Sequence, residues 1–538
     1  MASLRAVRAR CAFLGLLGSS LVLGGEARAQ DPFQPGVRWT EGPGALTPGI
    51  PRSVAFGAEG NAAWTAWSGA DAAFSAASAH AQGPNDPLAR EPAGPGSAGS
   101  IAIAAGTAPW SFALAQVPAP DAWNRRTVVR ASWIDDVAPP GALGPRWTRE
   151  LPFAANGAAR LGCDASGASA WVAAFDDAAQ RVRVERLDGA TGTVMFAREL
   201  DALGLSEIAV AADGTRAVLA TGLAIWVLDA QGATVHHAAL AATTTALAIS
   251  GDGRAIAHGA PGALRVLRDG PQGFALASSA GAGAGEMAAR AALDSDGATL
   301  AIGWWSASTG TAWRFEVWDL GAALRIEQRA FAGPAGGLQD LPTAVAVTPD
   351  GARAAFACWG GAAGEGTGAP EAAIWDRATD QYVLEADLAG SAFALALAPD
   401  GTRALVASKS THANVLSATG DVRLFDTGER DLQVLAPAVR GGVLHLAARA
   451  SGATSVLFLH GDPAPVPFRV PGIAGELGLR RVGLGVVRLN ADAQGRADWS
   501  SAIPADPALV GTVRSFQAAF RSPGGTRFGA TLLRVRIL

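Results

Sequence analysis

A chain of 538 residues is too long for a single compact core, and its formal net charge of −4 lacks the basic excess of a dedicated nucleic-acid binder. With 67 glycines and 31 prolines it is cut into short segments, which suits many short strands. The mean hydropathy of +0.21 comes largely from alanine in short runs interrupted by glycine, not from membrane spans.

The first element is a leader. Arg5, Arg8 and Arg10 give a positive start, an apolar run follows from Cys11 to Leu23, and Ala27-Arg28-Ala29 has the small-x-small pattern of a signal-peptidase site. Residues 1–29 read as a signal peptide cleaved between Ala29 and Gln30, so the mature chain is expected to be secreted, periplasmic or at the cell surface. The apolar run is short for a span, and no later stretch reaches about 18 consecutive apolar residues, so no membrane span is expected after cleavage. Of the cysteines only Cys163 and Cys358 remain, each in an apolar strand-like run, and they read as separate buried thiols.

From here one phrase returns: an apolar alternating strand, an Asp-Gly-type turn, and a second apolar strand. It appears at Ile208–Ala220, Ala246–Ala257, around Asp296-Gly297, at Ala344–Ala357 and, most clearly, at Ala394–Ala407. Weaker copies lie at Val54–Gly60 and Leu161–Gly167, and a degenerate one at Ile101–Gly106. Asp-Gly tolerates the positive φ angles of a two-residue hairpin turn, and the alternation gives each strand one buried face. A second signature follows some 16 to 26 residues later, an apolar strand ending in aspartate, as in Val227–Asp229, Val317–Asp319, Ile374–Asp376 and Leu424–Asp426. Several units run on through a turn into another strand, so each is expected to be four short antiparallel strands.

These paired signatures resemble the WD40-like propeller superfamily, in the looser form of secreted bacterial repeat proteins. The resemblance covers residues 37–436 and implies an all-β propeller of about eight four-stranded blades, with seven as the alternative count. It departs from true WD40 repeats, since no Gly-His pair opens the units and Trp-Asp occurs in only two of them. Val37–Thr40 resembles Pro145–Thr148 and is the candidate closing latch. Residues 437–538 lose the repeat and read as a small β-sandwich, similar to tails of planctomycete-type exported proteins.

Motifs that carry chemistry are weak. Phe458–Gly461 has the strand-His-Gly form of a hydrolase oxyanion segment, but no G-x-S-x-G elbow accompanies it. Asp294-Ser295-Asp296-Gly297 opens like an EF-hand loop, yet its twelfth position is Trp305, where calcium needs a carboxylate. The glycine runs at Gly281–Gly285 and Trp359–Gly368 lack Rossmann and P-loop spacing. His236 and His237 alternate across a strand and cannot readily share a metal. No catalytic residue, metal ligand or cofactor is therefore assigned. The repeated aspartates read as turn initiators. Tryptophans at the ends of second strands (Trp64, Trp67, Trp304, Trp305, Trp359) read chiefly as packing between blades, with Trp304, Trp305 and Trp359 as candidates for stacking on a ligand.

The reading that follows is an exported, non-catalytic interaction protein that binds an unknown protein or glycan on a propeller face. It has no nucleic-acid partner, and its oligomeric state is not set by sequence. The alternative is a propeller-type enzyme, such as a lactonase, glycosidase or quinoprotein-like oxidoreductase, whose site would assemble at the central channel from distant units.

Overall fold

The computed structural model describes residues 36–41, 49–56, 62–69, 73–78, 87–92, 102–105, 110–118, 125–133, 145–154 and 159–537, apart from 177, 245, 334–337, 361–368, 416–418, 428–430, 436, 437, 439, 510 and 511. The leader and its cleavage site at Ala29-Gln30 lie outside them, as do the glycines from Gly361 to Gly368.

The described residues form eight four-stranded antiparallel sheets followed by a separate group of strands. Their inner strands are Gly49–Phe56, Ala102–Ala105, Ala159–Cys163, Leu205–Val210, Leu247–Ile249, Glu286–Leu293, Pro342–Val347 and Ala392–Leu397. Each inner strand lies against the next, and the last returns to the first, so the sheets stand radially around one axis. They are numbered blades 1 to 8 in that order.

Gly36–Glu41 supplies the outer strand of blade 8. It pairs antiparallel with Gly420–Asp426, placing Val37 opposite Phe425 and Thr40 opposite Arg423. The first described strand thus completes the last sheet, which gives a noncovalent closure of the ring. Its likeness to Pro145–Thr148 has the same origin, since Pro145–Ala154 is the outer strand of blade 2.

The core lies between blades. Trp171, Val182 and Val184 of blade 3 pack on Leu205, Ile208 and Leu219 of blade 4. Ala301, Phe315 and Val317 of blade 6 meet Phe356, Ala373 and Trp375 of blade 7. Val54 and Phe56 of blade 1 close the circle on Leu405, Ala407 and Val422 of blade 8. Radial sheets converge toward the axis, so inner strands need small side chains, and alanine fills them.

The Asp-Gly turns differ from the two-residue geometry that the dipeptide suggests. In blade 4 the last bond before the turn joins Ala211 N–H to Arg216 O (2.9 Å), so the connection inside it spans four residues. Only the glycines have positive φ, between 66° and 70° at Gly214, Gly253, Gly297, Gly351 and Gly401. The aspartate instead accepts the N–H two residues on, 2.9 Å from Thr215 to Asp213 and 3.0 Å from Thr402 to Asp400. The aspartates are turn builders. Successive turns also bond one another: Asp213 N–H donates to Gly251 O (3.2 Å) and Asp252 N–H to Ser295 O (2.9 Å). Arginines three residues after the aspartate bond the next blade, Arg216 to Gly253 O (3.0 Å) and Arg353 to Gly401 O (2.7 Å).

Beyond the ring, Leu432–Val434, Val443–Arg449 and Arg496–Ala502 form a three-stranded sheet. Leu432–Val434, which the sequence reading leaves with the repeats, therefore pairs into this region. A five-stranded sheet runs through Val513–Ser522 and Gly525–Arg536 and includes one parallel pairing, with Ile473–Ala474. The two sheets share a core through Leu444 and Leu446 on one side and Phe458, Phe516 and Phe520 on the other.

Candidate functional site

An up-and-down meander places connections alternately at two ends of each blade. The Asp-Gly turns and the aspartates ending third strands occupy one end, the turn face. The connections from second to third strand, and from each blade to the next, occupy the other, the loop face.

Toward the axis most described inner-strand positions are small or aliphatic, among them Ala209, Ala344, Ala346, Ala394 and Ala396, which are half-buried. Charge enters at few places. Arg160 of blade 3 reaches Ser206 O of blade 4 through Nε (2.8 Å) and approaches Glu207 Oε1 at 3.8 Å. Arg290 of blade 6 donates through Nε to Thr343 O of blade 7 (2.6 Å). β-Bulges at Ser206 and Thr343 interrupt the ladder at these carbonyls. Water reaches the Glu207 side chain, which is 36% exposed, but the surrounding ring raises its pKa, against the pull of Arg160. In blade 1, Arg52 lies 4.6 Å over the Phe393 ring of blade 8.

Among the described residues, no three His, Cys, Asp or Glu side chains stand close enough to share a metal ion. His236 and His237 point to different neighbours, Phe274 (ring centroids 5.6 Å apart) and Trp226 (4.0 Å). Asp294 and Asp296, the EF-hand mimic, are used in the turn, accepting Thr299 N–H (2.9 Å) and Ala298 N–H (3.0 Å). Cys163 and Cys358 are free thiols in blades 3 and 7, both with pKa raised by burial. His460 has become a packing group, its ring parallel to Trp499 at 6.0 Å.

The loop face is more varied. Blades 4 and 5 cross from second to third strand in two residues, Gly222-Leu223 and Pro261-Gly262. In blades 7 and 8 the same crossings run from Trp359 to Glu371 and from Ser410 to Thr419. Lys409, the sole lysine, is buried and caps the second of these, donating to Ala413 O (3.1 Å), His412 O (3.4 Å) and Val415 O. His412 accepts Asn414 N–H at Nδ1 (3.2 Å), so its Nε2 carries the proton and donates to Gln339 O (2.9 Å). Asp340 accepts Trp313 Nε1–H (2.8 Å) and Gly360 N–H (2.9 Å). Glu371 accepts Leu388 N–H (2.6 Å), and burial, with Asp387 beside it, raises its pKa to about 8.

Exposed leucines complete this face. Leu203 and Leu223 are 69% and 59% exposed, and their loops are joined by Gly222 N–H to Gly204 O (3.3 Å). Met287 and Val415 are exposed at loop-face ends of blades 6 and 8.

The tryptophan candidates separate. Trp304 is wholly buried between blades 5 and 6, with its Nε1–H on Glu316 (2.8 Å), so it presents no ring face to a ligand. Adjacent strand residues alternate sides, and its neighbour Trp305 is half-buried, donating to Gly310 O (3.4 Å). Trp359 is half-buried at the loop face and meets His412 edge-on, 6.1 Å between centroids. The structure does not bring Trp305 and Trp359 together into one platform. Sequence reading missed Arg160, Glu207 and Arg290. Counting back from the turns gives a signal, because all three hold the same place relative to them.

No protein-family model matches the chain, and no curated protein matches it in sequence. Among solved structures, Sqt1 of Chaetomium thermophilum, bound to the N-terminus of the ribosomal protein L10, aligns at a TM-score of 0.51. Identity is 13%, over 72% of this chain and 99% of that one. Sqt1 of Saccharomyces cerevisiae aligns at a TM-score of 0.48 with 12% identity, over 73% and 99%. Together with the ring of sheets, the first alignment shows a WD40-like β-propeller, and at that identity it shows the fold alone.

Proposed function

We propose that the chain is an exported, non-catalytic interaction protein that holds a segment of a protein partner on its loop face. The observation that carries this reading is the placement of Leu203 and Leu223, side by side and more than half exposed, at the loop-face rim. Large apolar side chains grouped in water mark contact surfaces. Among the described residues, the channel wall carries small side chains and the Glu207 carboxylate, which offers acid–base chemistry little to work with. The C. thermophilum Sqt1 structure, with a segment of another protein bound, supports a protein partner over a glycan.

The test uses chain recovered from culture medium, whose first residue is expected to be Gln30. Chemical crosslinking to its partner is lost in Leu203→Asp/Leu223→Asp. It survives Met195→Asp, which lies 52% exposed on the outer strand of blade 3. Retention of residues 1–29, or crosslinks confined to outer strands, overturns the reading.

A further inference from the structure

Arg160, Glu207 and Arg290 share one structural position, four residues before the residue whose N–H opens the first turn of its blade (Asp164, Ala211 and Asp294). In blades 5, 7 and 8 that position is Ala246, Ala344 and Ala394. The ring closes with alanine there, so closure does not call for a charge.

Both guanidinium groups are held in place. Arg160 donates to Ser206 O (2.8 Å) and Ala159 O (3.0 Å), and Arg290 to Thr343 O (2.6 Å) and Ala289 O (2.7 Å). Neutral carbonyls orient these groups but leave their charge uncompensated. The Nη2 group of each has no hydrogen-bond partner among the described residues. Among the described residues, Glu207 is the one acid paired with them, 3.8 Å from Arg160. By contrast, Arg314 in blade 6 is matched by both Glu286 (2.9 Å) and Glu316. Two fixed guanidinium groups against one carboxylate, in a ring that restricts water, leave a place for a second anion.

We propose that the channel, near the loop face, receives a carboxylate of the bound protein segment between Arg160 and Arg290. This deepens the interaction reading and rests on it. Glu207 sets the selectivity, because it repels a second acid and weakens the hold on the first. The carboxylate comes either from an Asp or Glu side chain or from a free C-terminus.

Full-length chain is immobilised and challenged with three pools of random dodecapeptides. One pool is amidated and free of acids, one is amidated with a single Asp or Glu, and one is acid-free with a free C-terminus. Selection from one of the last two pools, with the first silent, is expected and identifies the source. Arg160→Gln and Arg290→Gln then weaken the selected peptide by about tenfold or more. Glu207→Gln tightens it by about threefold, and added salt weakens it. A folding defect does not produce gains and losses of opposite sign at neighbouring positions. Equal selection from the acid-free pool, lost in Leu203→Asp/Leu223→Asp, overturns the carboxylate inference and leaves the loop-face reading standing. Silence from all three pools, or arginine variants that bind as well as wild type, overturns the inference, and silence removes the loop-face reading with it.

Discussion

Glu371 ties two loop-face connections with one carboxyl. It accepts Leu388 N–H (2.6 Å) on one side, while Gly360 sits so close that a Cβ there would lie 2.1 Å from its Oε1. Gly360 also holds φ at +60°, so both space and backbone require glycine. Burial and the neighbouring Asp387 raise the pKa of Glu371 from 4.5 to about 8. Between those values the unfolded chain has released this proton and the folded chain retains it. The contribution is therefore full at acid pH and is lost as pH rises through about 8. Glu371→Gln keeps an acceptor for Leu388 and removes the titration. Melting temperatures measured from pH 5 to 9 are expected to fall less steeply for this variant, with higher stability than wild type at the alkaline end. Parallel curves for the two proteins would contradict the assignment. At this scale the sequence was a poor guide. Glu371 follows a glycine-rich loop and Arg290 an alanine run, and neither neighbourhood announces a buried or channel-facing charge.

Elements were easier to read, because a repeated structure repeats its constraints. Each Asp-Gly turn needs one left-handed residue and one side-chain acceptor, and that requirement recurs from blade to blade in the sequence. The arginine three residues on was visible as well, but its reach to the next blade's glycine carbonyl was not, since that contact joins residues 37 apart for Arg216 and 48 apart for Arg353. The turn length was misjudged because the dipeptide favours a two-residue form, whereas the strands here separate a residue earlier on each side. Trp304 and Trp305 show another limit: neighbours in sequence, they fall on opposite faces, one sealed on Glu316 and the other half-buried. Packing between blades is dense where aromatics meet. Phe356 lies 5.1 Å from Trp313, 5.1 Å from Phe315 and 6.4 Å from Tyr382, ring centre to ring centre. Phe356→Ala leaves a cavity between blades 6 and 7 and is expected to cost about 3–5 kcal/mol in urea unfolding. A cost under about 1 kcal/mol would mean that this contact does not hold the blades together.

For the whole molecule, the ring is closed by Gly36–Glu41, so the last blade depends on both ends of the propeller segment. The likeness of Val37–Thr40 to Pro145–Thr148 made that closure legible, since outer strands face water on one side and share a pattern. Function was not legible in the same way. A radial array gathers residues from blades 3, 4 and 6 at one channel position, and the sequence carries this only as a shared offset of four residues before each turn. Which face of the ring meets the partner is therefore the decisive question. Hydrogen exchange of the full chain, alone and saturated with the selected peptide, measures this directly. Slowed exchange is expected in 201–206, 222–224 and 287–291, with the Asp-Gly turns at 213–214 and 400–401 unchanged. Protection confined to those turns or to the outer strands would contradict the loop-face reading.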